Sequence, residues 1–192
     1  MRELAILTFV SLDGVMQAPR MPDEDPSGGF TKGGWANPCW DDVMENVADV
    51  AMASPYDVLL GRNTYDAFAN AFNGTDSPLD RANKYVVTSR TLSDSWPPTT
   101  AITRDIPDAI AALKKESAPL LQVHGSHRLI QLLMEHQLID EYRIWTFPVV
   151  LGEGKRLFGT GSLPSNLELK QSKALSSGAT MSVYRHSQQM VA

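Results

Sequence analysis

The sequence predicts an α/β domain built on a central mixed, mostly parallel sheet flanked by helices, with an antiparallel hairpin near its C-terminal end. Three observations predict it. Short apolar runs alternate with segments of helical period from Tyr56 to Leu133. Strand patterns alone follow from Glu141 onward. The last two of these are joined by Ser176-Ser177-Gly178-Ala179, a hairpin signal.

Each element has its own signature. Leu4–Val10 is an apolar run bounded by Ser11 and Gly14 and is predicted to be a buried strand. Pro19–Gly34 is rich in Pro, Gly and Asp and lacks periodicity, as expected of a functional loop. A helix is predicted from Asn37 as N-cap with Pro38 at its first position. Trp40, Val43, Met44, Val47 and Ala51 form its apolar stripe, and Pro55 ends it. Strands follow at Tyr56–Leu60, Lys84–Thr88, Thr99–Thr103 and Leu120–Val123. The helices between them run from about Asn63 to Ala71, then from a cap at Asp105 with Ala109, Ile110 and Leu113 facing the core. Another starts after Gly125-Ser126 and buries Leu129, Ile130, Leu132 and Leu133. Glu141–Val150 reads as a long strand in which Pro148 implies an edge position or a bulge. Leu167–Leu175 and Thr180–His186 form the hairpin. Residues 1–192 are therefore expected to make one domain.

Composition narrows the function. The chain is 43% apolar and 20% charged, with net charge −5, which argues against nucleic-acid binding but permits a local basic pocket. The single cysteine, Cys39, excludes an internal disulfide and is expected to pack in the interior. The four histidines form no ligand motif, so no metal is expected. No stretch is apolar enough to span a membrane, and Met1–Val10 lacks the plan of a signal peptide. A cytoplasmic protein is the expectation.

Candidate chemistry sits at strand ends. Leu60-Gly61-Arg62-Asn63-Thr64 and Val123-His124-Gly125-Ser126 each place a glycine between a strand and a helix start, where backbone N–H groups attract phosphate. Arg62 adds a planar fork and Thr64 a hydroxyl; the plainer alternative is a tight turn beside a solvated arginine. Thr88-Ser89-Arg90 closes another strand with two hydroxyls and a cation, and a plain polar loop is the alternative there. Two separate arginine sites would suit a dinucleotide with a 2′-phosphate, which favours NADPH over NADH. Neither a phosphate-loop NTPase motif nor the Rossmann fingerprint is present, and no nucleophile motif appears. Hydride transfer needs neither a protein nucleophile nor a metal.

Several stretches together resemble the dihydrofolate-reductase-like superfamily, in particular the reductase domain of bifunctional riboflavin-biosynthesis proteins and their stand-alone bacterial relatives. These are Ser11-Leu12-Asp13-Gly14, Leu59–Tyr65, Lys84–Arg90, His124-Gly125-Ser126, Leu138–Tyr142 and Pro148–Phe158. The resemblance implies a three-layer fold and NADPH held by Gly61, Arg62, Thr64, Thr88, Ser89, Arg90, Gly125 and Ser126. It implies that Ser11–Gly14 lines the nicotinamide side, with Ser11 and Gly14 as cofactor contacts, and that Leu151 and Gly152 lie by the substrate. A homodimer through the sheet edge or the C-terminal strands is also implied.

Folate reductases carry a carboxylate two residues after a proline at the first helix, and here that position is Trp40. Asp41 beside it, and Asp13, are the candidate catalytic carboxylates. Trp35 and Trp40 are candidate walls for a flat substrate, with core packing the alternative, especially for Trp40. The expected function is reduction of a small heterocycle, such as the ribosylamino-pyrimidine of flavin synthesis. A folate reductase and a non-catalytic nucleotide-binding dimer module are the alternatives.

Overall fold

The computed structural model describes residues 1–40, 44, 55–92, 96–159 and 164–187. Its eight strands form one sheet. In chain order they are β1 (Leu4–Ser11), β2 (Tyr56–Gly61), β3 (Lys84–Val87), β4 (Thr99–Ile102), β5 (Leu120–Gly125), β6 (Glu141–Phe147), β7 (Leu167–Ala174) and β8 (Thr180–His186). The sheet order is β4-β3-β2-β5-β1-β6-β8-β7. β4, β3, β2, β5 and β1 run parallel, and β6, β8 and β7 pair antiparallel. This is the mixed sheet with a C-terminal hairpin that the alternation predicted. The chain groups into two compact units, Met1–Ile6 with Val50–Asp140 and Leu7–Asp49 with Glu141–Ala192, so that β1 contributes to both.

In the first unit the helices are α1 (Arg62–Phe72), α2 (Pro78–Arg81), α3 (Ile106–Lys115) and α4 (His127–Glu135). Every residue of β2 is buried, as expected of a parallel strand covered on both faces. Tyr56, Val58 and Leu60 meet Tyr65, Leu79, Val86 and Trp96 in one apolar cluster. Two cations are buried here. Arg2 donates to Asp57 at 2.6 Å and to the Leu113 carbonyl at 3.2 Å, while Asp57 also accepts from Asn83. Lys84 lies 4.4 Å over the Trp96 ring and donates to the Asp80 and Pro97 carbonyls. Burial in these surroundings lowers its pKa, and the nearby Asp80 opposes that shift. α2, which the periodicity does not reveal, is one short turn whose Ser77 side chain caps the Asp80 N–H.

In the second unit, Phe9 makes edge-to-face contacts with Trp40, Trp145 and Phe147 at 5.5–6.2 Å. Trp35, Met44, Leu151 and Met181 belong to the same core. The 19–34 segment contains only a 3₁₀ turn at Ser27–Gly29, as its composition predicts.

Four expectations change. The helix predicted from Asn37 begins as a 3₁₀ turn, Asn37–Cys39, capped by Ala36, and Trp40 leaves it extended. The Asn37 amide, instead of capping, donates to the Arg20 carbonyl. Beyond Trp40 only Met44, helical and fully buried, is described. Pro148 marks neither an edge nor a bulge: β6 lies inside the sheet, between β1 and β8, and stops at Phe147 because the next residue has no N–H to donate. Asp105 occupies the N-cap of α3 at φ 46° without its side chain capping it. Leu132 is half-buried, whereas Leu129, Ile130 and Leu133 are buried. Among the described residues, no helix is long and apolar enough to cross a membrane.

Candidate functional site

The first unit brings the two glycine turns together. β2 and β5 are parallel neighbours, with Leu60 opposite Gly125. A Cβ on Gly61 would land on the Ser126 Oγ, and a Cβ on Gly125 would lie 2.7 Å from the Thr64 Oγ1. Both positions must be glycine for the turns to approach this closely. α1 starts at Gly61 and α4 at Ser126, neither with a side-chain cap nor an acidic residue in its first turn. α2 and α3 carry Asp80 and Asp108 in the corresponding turns. Two adjacent helix starts thus carry no acidic side chain in their first turns, which suits a phosphate.

The arginines differ. Arg62 Nε donates to both Asp66 oxygens at 2.8 and 2.9 Å, and its Nη1 donates to the Thr91 carbonyl at 2.9 Å. Arg90 and Ser89 are exposed at the end of β3. The buried Thr88 hydroxyl shapes this turn, accepting from the Arg90 N–H and donating to the Arg90 carbonyl. It is therefore occupied within the protein.

The second unit holds Ser11, Asp13, Gly14, Leu151 and Gly152 in one knot. Asp13 accepts from Ser11 Oγ at 2.7 Å, from the Leu151 N–H at 3.1 Å and from the Gly152 N–H at 2.8 Å. Arg156 lies 3.4 Å from the carboxylate and also donates to the Asp13 carbonyl. The Ser11 hydroxyl accepts from the Val15 N–H. Gly14 donates to the Ser11 carbonyl and accepts from the Leu157 N–H. These bonds, that of Ser11 foremost, hold the Asp13 carboxyl well below the usual carboxylate range. Such a group is an acceptor at neutral pH and a poor proton donor. Leu12 and Val150 stand out from the knot with 67% and 68% exposure, and Leu12 N–H bonds to the Val149 carbonyl.

Both tryptophans pack in or against the core of the second unit, Trp35 the more deeply. Trp35 is buried, donates from its indole to the Gln17 carbonyl and packs on Phe147 at 5.6 Å. Trp40 is half-buried, with the Arg20 guanidinium 3.8 Å from its ring centre. Asp41 lies outside the described residues. Cys39 is half-buried against the same core.

Gln17 was not visible as important from the sequence. It is buried and donates to the Asp25 and Ser27 carbonyls while accepting from the Lys155 N–H. Lys155 also pairs with Asp25 at 2.6 Å, and a cavity of about 250 Å³ lies between residues 27–30 and 153–155. A lone glutamine in a loop carries no motif that could have revealed this.

The model of the RibD C-terminal domain matches residues 2–181. The chain belongs to the RibD C-terminal domain family. Two uncharacterized proteins of Bacillus subtilis strain 168 are similar to it. YyaP is 30% identical over 66% of this chain and 72% of its own length, and YwjB is 30% identical over 70% and 78%. Among solved structures, a Shewanella sp. PV-4 protein named for riboflavin biosynthesis superposes with TM-score 0.75 at 22% identity, covering 98% of this chain and 100% of its own. A pyrimidine reductase-like protein of Corynebacterium diphtheriae gives 0.63 at 12% identity, covering 98% and 93%. Dihydrofolate reductase of Enterococcus faecalis, complexed with NADP(H), gives 0.62 at 13% identity, covering 96% of each chain. The fold is dihydrofolate-reductase-like, and the RibD C-terminal domain family is one of reductases.

Proposed function

We propose that this chain is an NADPH-dependent reductase that passes a hydride to a small, flat heterocycle, the ribosylamino-pyrimidine of flavin synthesis being the first substrate to test. The observation that carries the reading is the pair of touching glycine turns, each opening a helix with neither a cap nor an acid in its first turn. Atoms of a pyrophosphate can approach the backbone where Gly61 and Gly125 leave no Cβ. Ser89 and Arg90, exposed at the next strand end, suit the 2′-phosphate, and Arg62 suits it from the side of α1.

When bound, the dinucleotide supplies the hydride. The protein's share is placement and proton delivery. Ser11 and Asp13 hold the loop after β1 against the Leu151-Gly152 turn, presenting Leu12 and Val150 as an apolar ledge for a ring. Trp40, which is half-buried, is the aromatic wall we favour over the buried Trp35. Asp41, not Asp13, is the carboxylate proposed to donate the proton. The exposed outer strand β7, where Leu169 is half exposed, supports a homodimer joined at the sheet edge, and we take the protein to act in the cytoplasm.

Titration with NADPH, followed by nucleotide fluorescence, tests the core of this reading. Saturable binding is expected, lost when Arg62 and Arg90 are both replaced by Ala. Absence of binding by the unaltered protein overturns it. Asp41→Asn is expected to lower kcat and remove its pH dependence, and light scattering reads the dimer.

A further inference from the structure

The reading above treats Arg62 as a phosphate ligand, and what holds Arg62 in place is a separate matter. A free arginine side chain loses much rotamer entropy when it fixes on an anion. Arg62 is not free. Asp66, one turn along α1, takes Nε with both carboxylate oxygens at 2.8 and 2.9 Å. The Thr91 carbonyl, just beyond Arg90, takes Nη1 at 2.9 Å. Nη2 has no partner among the described residues, and the Arg62 side chain is only 19% exposed. The fork is thus bound at two of its three nitrogens and offers the remaining one. It also ties the start of α1 to the 88–91 turn.

We propose that Asp66 is a positioning residue. It pre-orients Arg62 and, through Thr91, the turn that bears Ser89 and Arg90, so that both cations are set for the extra phosphate before it arrives. This rests on the NADPH reading given above. Asp66 itself touches no nucleotide and is 46% exposed. Its negative charge alone would repel a phosphate.

That opposition gives the test a sign. If Asp66 were merely an acidic neighbour, removing its charge would tighten NADPH binding. If it positions Arg62, removal weakens NADPH by about tenfold, the scale of one lost charge-assisted hydrogen bond. NADH lacks the 2′-phosphate, so its affinity should stay within about twofold. The experiment titrates NADPH and NADH into the unaltered protein and into Asp66→Ala, Asp66→Asn and Asp66→Glu, with thermal melting of each. The expected result is a fall in NADPH-over-NADH preference in the first two variants, restored by Glu, which can still reach across one helical turn. Tighter or unchanged NADPH binding in Asp66→Ala overturns the proposal while the cofactor reading stands. Equal losses for both nucleotides with a lowered Tm overturn it too, by assigning Asp66 a purely structural role. No NADPH binding by the unaltered protein removes the cofactor reading, and this inference with it.

Discussion

Asp13 shows how much one side chain can organise. It accepts from two backbone N–H groups and one hydroxyl, drawn from segments far apart in the chain. Asp13→Ala should cost about 2 kcal/mol, as expected when such donors lose their partner, measurable as a shift in the urea midpoint. The sign with pH follows from its depressed pKa. An acid that is stronger in the folded state than in the unfolded one contributes its stability above the ordinary carboxylate range, and loses it as pH falls toward the folded value. The gap between the unaltered protein and Asp13→Asn should therefore narrow on acidification. Gly61→Ala is expected to destabilise the protein and abolish nucleotide binding, because the added methyl meets the Ser126 side chain; circular dichroism melting and NADPH titration check both effects. Residues within short local motifs, such as Ser11, Asp13, Gly61 and Gly125, were legible in the sequence. Gln17 and Asp66 were not, because their partners lie in segments that only the folded chain brings within reach, or one helical turn away on a surface where any acid looks solvated.

At the scale of elements, legibility followed the strength of the period. α1 was predicted within a residue at each end and α4 at its start, since their apolar residues recur at helical spacing against polar neighbours. α2 was missed because four residues cannot show a period. Pro148 misled because a missing donor can mean an edge, a bulge or simply an end, and the end was what the chain used. The buried pair Arg2–Asp57 ties the starts of β1 and β2 to the end of α3 through Leu113. Removing only one partner leaves a buried charge uncompensated, so Asp57→Ala should cost about 3–5 kcal/mol, whereas replacing both by apolar residues of similar size should cost far less. Denaturant midpoints of the single and double variants distinguish the two cases. Glu141 in β6 is pushed up by burial, yet Arg143 and Arg185, bonded to it at 2.6 and 2.8 Å, outweigh that and hold it below its ordinary value.

For the whole molecule, the sheet class was readable from the alternation of strand and helix followed by strands alone, because right-handed crossovers leave few other arrangements. The position of β1 inside the sheet, beside β5, was not, since strand order depends on pairings far apart along the chain. NADPH should raise Tm more than NADH at equal concentration, and the difference should shrink with added salt, as expected when an extra phosphate meets fixed cations on an acidic protein. Differential scanning fluorimetry across ionic strengths measures this.

The Asp13 knot also sets a timetable. Its donors at Leu151 and Gly152 are 138 and 139 residues downstream of their acceptor. During synthesis the loop after β1 leaves the ribosome well before the 151–152 turn and must wait, its carboxylate solvated, until that turn has been made. Contacts of such separation slow folding, since a large loop is closed before any of its bonds repays the lost entropy. A loop made so long before its partners is accordingly among the last parts to be finished, and a nascent chain halted before Leu151 would carry it open to proteases.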